Sequence, residues 1–163
     1  MGAQKAAWMA ALRAEISQLA NQTKIQTLLD MTKAFETIPH QKLVETAAKY
    51  GYNLGLVRLS IASYRLPRTI GIEGVQSATM VATRGITAGS GFATTELRIL
   101  MQEVVLLTLA EWGEAVNLTL YVDDLTVETE GSIEDASGRN AAAVDGICEI
   151  LQDHMDFDVS KKK

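Results

Sequence analysis

Three aspartates are the side chains of this sequence best suited to chemistry: Asp30 and the adjacent pair Asp123 and Asp124. Neighbouring carboxylates repel each other, and a hard divalent cation such as Mg²⁺ removes that repulsion because it binds carboxylate oxygens. A cluster of such carboxylates suits phosphoryl or nucleotidyl transfer, in which two metal ions about 4 Å apart activate the attacking oxygen and stabilise the leaving one. Taken singly, each aspartate also fits a structural role as a turn former or a helix cap.

The segments that carry these aspartates alternate between apolar and polar residues, which is typical of half-buried strands. Residues 118–122 and 125–128 predict two strands with a tight hairpin turn at the Asp-Asp pair, and residues 25–30 predict a strand that ends at Asp30. If that strand lies beside the hairpin, carboxylates distant in sequence meet at one edge of a sheet.

Helices and short strands fill the rest of the chain. Periodicity and end signals predict helices over 39–50, 54–64, 92–112 and from Ser132 onwards, and strands over 68–74, 78–83 and 156–160, with a turn at 74–77. Apolar residues at helical spacing predict an N-terminal amphipathic helix within residues 1–23. Hairpins interleaved with helices predict the α+β class: an antiparallel sheet with helices packed on one face, in a split βαβ layout like that of RRM domains.

The composition narrows the classes of protein that the chain can represent. It has 163 residues, and its net charge of −5 argues against a free-standing nucleic-acid binder, but not against a catalytic core whose basic surface lies in neighbouring domains. Cys148 is the single cysteine, which excludes an internal disulfide and a cysteine-rich zinc site. No apolar run reaches the length of a membrane span, and the amino terminus lacks the apolar core of a secretory signal. We therefore expect an intracellular protein, in the nucleus or cytoplasm, without a membrane partner.

Four motifs of the chain resemble, in the same order, the palm motifs of retroelement reverse transcriptases, which are RNA-directed DNA polymerases. The motifs are Asp-Met-Thr-Lys-Ala-Phe-Glu-Thr-Ile-Pro-His at 30–40, Arg-Gly-Ile-Thr-Ala-Gly-Ser at 84–90, Tyr-Val-Asp-Asp at 121–124 and Phe-Asp-Val-Ser at 157–160, followed by lysine. The Tyr-x-Asp-Asp motif alone is a weak signal, whereas the four together in family order are a strong one. The resemblance implies a polymerase palm domain over residues 24–163, with fingers and thumb regions largely absent.

The resemblance also implies roles for the acidic residues. Asp30 and Asp123 would bridge two Mg²⁺ ions, or Mn²⁺ in their place, Asp124 would be a nearby and less essential carboxylate, and Met31 would lend its backbone carbonyl to a metal. The implied reaction adds a deoxynucleotide to the 3′-OH of a primer. The implied partners are an RNA template, a DNA primer, a deoxynucleoside triphosphate (dNTP), and the missing fingers and thumb regions of a longer polyprotein.

Nucleotide-binding positions follow from the same resemblance. Phe35 falls where the family places the residue beneath the incoming sugar, and a bulky ring there would exclude a ribose 2′-OH; its plain alternative is a core aromatic. Ala88 and Gly89 lie in the second motif, where the family usually has Gln before the glycine, so Ala88 departs from the pattern. Lys163 falls near the motif lysine proposed to protonate the leaving pyrophosphate, or is a solvated end of the chain. Glu128 is expected in water.

Two other functions stay open. A catalytically inactive remnant that binds nucleic acid or a protein partner is favoured by Ala88 and by the missing fingers and thumb, whereas the intact aspartates favour the enzyme. An RNA-templated RNA polymerase is disfavoured by Phe35, because enzymes that use ribonucleotides need room for the 2′-OH.

Overall fold

The computed structural model describes residues 3–87, 89–155, 157 and 159 of the chain. Its helices are α1 (Ala3–Leu19), α2 (His40–Lys49), α3 (Leu54–Tyr64), α4 (Ala93–Trp112) and α5 (Ile133–Met155), and its strands are β1 (Thr23–Asp30), β2 (Gly71–Ile72), β3 (Val75–Gln76), β4 (Asn117–Tyr121) and β5 (Asp124–Gly131). The chain divides into two compact units: the sheet unit (Met1–Thr32 with Gln102–Lys163) and the helical unit (Lys33–Met101).

The sheet unit contains a three-stranded antiparallel sheet in the order β1-β5-β4. In the register of β1 with β5, Leu29 lies opposite Leu125 and Thr27 lies opposite Val127, so these residues share one face. The two leucines and Val127 are buried there. Helix α5 covers this face, where the Thr27 hydroxyl donates a hydrogen bond of 2.5 Å to Asn140 Oδ1. The predicted α+β class with an antiparallel sheet is therefore confirmed.

The opposite face of the sheet is polar, and α1 lies against it. Arg13 of α1 donates hydrogen bonds to Glu128 Oε2 (2.7 Å) and to Thr119 Oγ1 (3.3 Å). The large apolar residues that predicted an amphipathic helix are exposed, among them Leu19 at 89%, and so is Trp8 at 76%. The sequence predicted helices on one face of the sheet, whereas α1 also covers the second face, where Arg13 pairs with the buried Glu128.

In the helical unit, α2 and α3 pack together and are followed by the small β2–β3 hairpin. Its turn consists of Glu73 and Gly74, with φ of 50° and 84°. Two consecutive left-handed residues are what a type I′ hairpin turn requires. The sequence predicted this turn at 74–77, so Val75 and Gln76 are corrected from turn to strand.

The long helices begin and end close to the predicted residues. At the start of α5, Ser132 Oγ accepts a hydrogen bond from the backbone N–H of Asp135 (3.2 Å), as expected of an N-cap. In the described part of the chain, no helix combines the length and apolar character needed to cross a bilayer.

Candidate active site

Asp30 and Asp124 lie directly opposite each other at one edge of the sheet, as the last residue of β1 and the first residue of β5. Tyr121, the last residue of β4, lies opposite Asp124 on its other side. Opposed residues of antiparallel strands project to the same face with Cβ atoms about 4.5–5.5 Å apart, so the three side chains form one row. Both aspartates are exposed. Like charges at such a pair repel each other, and a cation bound at this edge would relieve the repulsion.

Asp123 lies next to this row, in the turn that joins β4 to β5. The pair of Tyr121 with Asp124 closes the hairpin, so the turn consists of Val122 and Asp123. Val122 has a φ of 58°, a left-handed conformation that costs a β-branched residue about 1–3 kcal/mol. The turn is thus shifted by one residue from the predicted Asp-Asp pair, because Leu125 must face the core and its alternation places Asp124 in the strand. The strained turn holds Asp123 at the same end of the sheet as the facing pair.

Met31 follows directly after β1, and only 2% of its surface is exposed. Its backbone forms an antiparallel bridge with Val159, and Phe157 is buried nearby in sequence. Within the sheet unit, Val159 of the fourth motif therefore lies beside Met31 of the first. The bridge orients the backbone of Met31, the part of this residue that was predicted to contact a metal.

The predicted nucleotide-binding residues are divided between described and undescribed parts of the chain. In the helical unit, Phe35 is half-buried, and its carbonyl accepts a hydrogen bond from Ile86 N (2.6 Å). Gly89 is exposed with a φ of 87°, and no atom lies within 4 Å of where a Cβ would stand. Its backbone conformation, not close packing, therefore favours glycine. Ala88 and Lys163 lie outside the described residues.

The acidic groups at the sheet edge do not by themselves complete a metal site. Among the described residues, no group of three or more His, Cys, Asp or Glu side chains is arranged to hold a metal ion. The sheet edge supplies the facing pair of Asp30 and Asp124, with Asp123 in the adjoining turn. Mg²⁺ keeps several waters and is commonly bound by one or two carboxylates together with substrate phosphates. The edge has the oxygen donors for that mode of binding, which needs no complete protein cage.

Glu128 shares a face of β5 with Asp124 and is the centre of a buried ion cluster. It is fully buried and forms salt bridges with Arg13 (Nε–Oε2, 2.7 Å) and Lys24 (Nζ–Oε1, 2.9 Å). The expectation that Glu128 lies in water was wrong, because α1 covers this face and brings in an arginine 115 residues distant in sequence. The alternation of β5 places Glu128 on the polar face, but no local pattern indicates which helix covers it.

The helical unit contains a second buried polar cluster that the sequence did not indicate. Glu96 is fully buried and accepts a hydrogen bond of 2.8 Å from the Tyr64 hydroxyl, which also lies 3.1 Å from Ser90 Oγ. Burial is the largest cause of a raised pKa for Tyr64, and the Glu96 carboxylate adds to it. The cluster joins α3 and α4 to the loop that precedes α4. No sequence pattern indicates that a tyrosine on one helix and a glutamate on another form a hydrogen bond.

Comparisons with known proteins identify the family of the chain and a solved structure with a similar fold. Residues 3–163 match the model of the family described as reverse transcriptase (RNA-dependent DNA polymerase). No curated protein matches the chain. Among solved structures, apo telomerase from Candida tropicalis, truncated from its C-terminal domain, has a similar fold, with a TM-score of 0.66 and 13% sequence identity. The alignment covers 100% of this chain and 36% of the telomerase chain, so the present chain spans about a third of that protein.

Proposed function

This chain belongs to the reverse transcriptase family, and we propose that it catalyses RNA-directed DNA synthesis at the sheet edge formed by Asp30, Asp123 and Asp124. The reaction transfers a deoxynucleotide from its triphosphate to the 3′-OH of a primer, with pyrophosphate leaving. One observation carries the proposal: the register sets Asp30 opposite Asp124, beside the strained turn of Val122 and Asp123.

The carboxylates of Asp30 and Asp123 would hold the divalent ions, Mg²⁺ or Mn²⁺, with Asp124 and the Met31 backbone carbonyl as further oxygen donors. Exposed carboxylates that face each other fit hard cations of this kind. The chemistry that two bound ions supply in such sites is activation of the attacking hydroxyl and stabilisation of charge on the leaving oxygen. The buried Leu125 anchors the hairpin, so the carboxylates are positioned before the substrate binds.

Sugar choice and nucleotide contacts are assigned from the family resemblance. Phe35 excludes the ribose 2′-OH, Ala88 and Gly89 contact the incoming nucleotide, and Lys163 acts near the leaving pyrophosphate. Ala88 lacks the amide side chain of the usual Gln, a difference that bears on how the nucleotide is positioned. The partners are an RNA template, a DNA primer and the fingers and thumb regions of a longer polyprotein.

Primer extension on an RNA template with Mg²⁺ and dNTPs tests this function. Asp123→Asn should reduce incorporation by about 100-fold or more, because it weakens the binding of the divalent ions that would stabilise charge on the leaving oxygen. Asp145→Asn is the matched control: Asp145 is an exposed residue of α5, and the same change in charge there should leave incorporation unaffected.

Three outcomes would change the proposal. Incorporation that survives Asp123→Asn would refute the site assignment. If the chain joined to fingers and thumb regions incorporates no nucleotide, a catalytically inactive binding protein becomes the better description. Phe35→Ala should admit ribonucleotides, and unchanged sugar selectivity would remove the gate role.

A further inference from the structure

Strand β4 forms one edge of the three-stranded sheet. It pairs with β5 in a continuous antiparallel register, and no strand or isolated bridge of the described residues pairs with its outer side. Alternate residues of an antiparallel strand direct their backbone N–H and C=O groups away from the first partner. Residues 117–121 include no charged residue and no proline, the residues that usually protect such an edge from further pairing. The outer side of β4 is therefore able to accept another strand.

A cavity of about 520 Å³ lies beside the first residues of this strand, within the sheet unit. Its apolar lining comes from Val105 and Leu109 of α4, from Val116 just before β4 and from Leu118 of β4 itself. Leu109 is 51% exposed, and Leu118 lies opposite the buried Val127, so Leu118 projects to the apolar face of the sheet. A strand added to the outer side of β4 would direct alternate side chains to the same face, where the cavity has room for an apolar one.

The cavity beside β4 has one acidic end. Glu114, in the short helical turn Gly113–Ala115 that precedes β4, is the charged residue among the described residues that line it. Its side chain is exposed and, within the described part of the chain, forms no salt bridge. A lysine or arginine on the added strand would form a charge-assisted hydrogen bond with this carboxylate. The edge thus selects a strand with apolar residues at alternate positions and a basic residue at one end.

A second copy of β4 does not meet this requirement. If two β4 strands paired antiparallel over their full length, Asn117 of one would lie opposite Tyr121 of the other. Glu114 would then approach Asp123 and Asp124 of the second copy, and like charges in opposed positions repel each other. The acidic residues at both ends of β4 therefore favour a different protein with a basic segment over self-association.

We infer that the outer edge of β4 binds an extended segment of another protein as a further antiparallel strand, with an apolar side chain in the cavity beside Leu109 and a basic side chain on Glu114. In this mode of binding the main-chain hydrogen bonds supply affinity and the pocket for alternate side chains supplies specificity. The inference goes beyond the proposed function and does not rest on it.

The test is equilibrium binding of a labelled peptide to the 163-residue chain, measured by fluorescence anisotropy. The probe is fluorescein-Thr-Val-Thr-Val-Thr-Arg-amide, whose carboxyl-terminal arginine would lie near Glu114 in an antiparallel arrangement. Two N-methylated forms of the probe, one methylated on both valines and the other on the last two threonines, each lose N–H groups of one edge. The variants of the chain are Leu109→Lys and Glu114→Gln.

Matched controls for both variants come from α4. Leu106 is 45% exposed and Glu111 is also exposed, and neither belongs to the described lining of the cavity. Leu106→Lys and Glu111→Gln therefore make the same chemical changes away from the proposed site.

Leu109→Lys should weaken binding of the probe about tenfold or more, because it replaces an apolar wall of the cavity with a charge that also competes for Glu114. Glu114→Gln should weaken binding about threefold at low salt and less at high salt, as expected of an exposed ion pair. The two control variants should change the affinity by less than about twofold. One N-methylated probe should bind about tenfold more weakly than the other, because only one set of N–H groups faces β4. Because the four substituted side chains are exposed, circular dichroism should show the same fold in each variant.

Equal losses in a variant and its control would overturn the inference, since the effect would then be one of overall charge. Equal affinities of the two N-methylated probes would show that the peptide does not pair as a strand. If the chain alone sediments as a dimer that Leu109→Lys dissociates, the edge belongs to a second copy. The absence of saturable binding up to about 1 mM probe would also refute the inference. None of these measurements uses nucleotide incorporation, so failure of the proposed catalysis remains distinguishable.

Discussion

Glu128→Gln removes the charge at the centre of the buried ion cluster and should destabilise the fold strongly. Glu128 lies 2.7 Å from Arg13 and 2.9 Å from Lys24, whose side chains are 24% and 12% exposed. Glutamine keeps the volume but cannot balance two cations, and removing one partner of a buried pair costs about 3–5 kcal/mol. Because both cations keep some contact with solvent, we expect the lower end, about 3 kcal/mol. This corresponds to a decrease in Tm of about 6–12 °C for a chain of this size.

Urea and thermal unfolding followed by circular dichroism measure this cost. Glu130→Gln is the matched control, since Glu130 shares the strand and the face but lies outside the two salt bridges. Its effect should stay within about 0.5 kcal/mol. Equal costs for the two variants would refute the reasoning. A triple variant that makes the whole cluster apolar, Glu128→Leu with Arg13→Met and Lys24→Met, should recover most of the stability. If the triple variant does not recover stability, unbalanced charge is not the cause of the destabilisation by Glu128→Gln.

Three further perturbations test other parts of the structure. Asp124→Asn should raise the free energy of unfolding by about 0.5 kcal/mol without metal, because it removes a carboxylate opposed to Asp30. Added Mg²⁺ should then raise Tm more in the unmodified chain, and equal shifts would contradict the acidic site. Gly85→Ala should cost about 2 kcal/mol or more in urea unfolding, because φ is 92° and a Cβ would stand 2.8 Å from a backbone oxygen. Gly51→Ala is its control, with a φ of 69° in open space, and should cost less. Stability should fall as pH rises above 10, because burial raises the pKa of Tyr64 above its usual 10.0 and the unfolded chain loses this proton first. Tyr64→Phe should remove that part of the alkaline loss, and an unchanged slope of stability against pH above 10 would contradict it.

The parts of the fold that the sequence predicted are those with local signals. The alternation that ends at Asp30 and the one that follows Asp124 both survive in the structure, because Leu29 and Leu125 must share the buried face. Once that face is fixed, the register brings the two aspartates together. Ser132 begins α5 for an equally local reason, since its hydroxyl caps a backbone N–H three residues later.

The parts that the sequence did not predict depend on contacts between distant segments. Whether Glu128 is solvated or buried is decided by α1, and the apolar spacing of α1 suggested a different packing face from the one that presents Arg13. The pairing of Tyr64 with Glu96 needs two helices to meet, which periodicity cannot reveal. The turn at Val122 was displaced by one residue because core packing outweighed the local preference of an Asp-Asp pair for a turn.

The two acidic residues on the polar face of the sheet, Asp124 and Glu128, have different surroundings, and this difference supports the proposed site. Along β5, both residues project to the same face. Arg13 and Lys24 both pair with Glu128, the residue farther from the edge. Asp124 instead lies opposite the carboxylate of Asp30. It is close to Val122, whose strained left-handed backbone conformation is part of the hairpin turn. The exposed Asp124 carboxylate lies at the strand end opposite Asp30, where it would attract a metal ion carried in with a nucleotide.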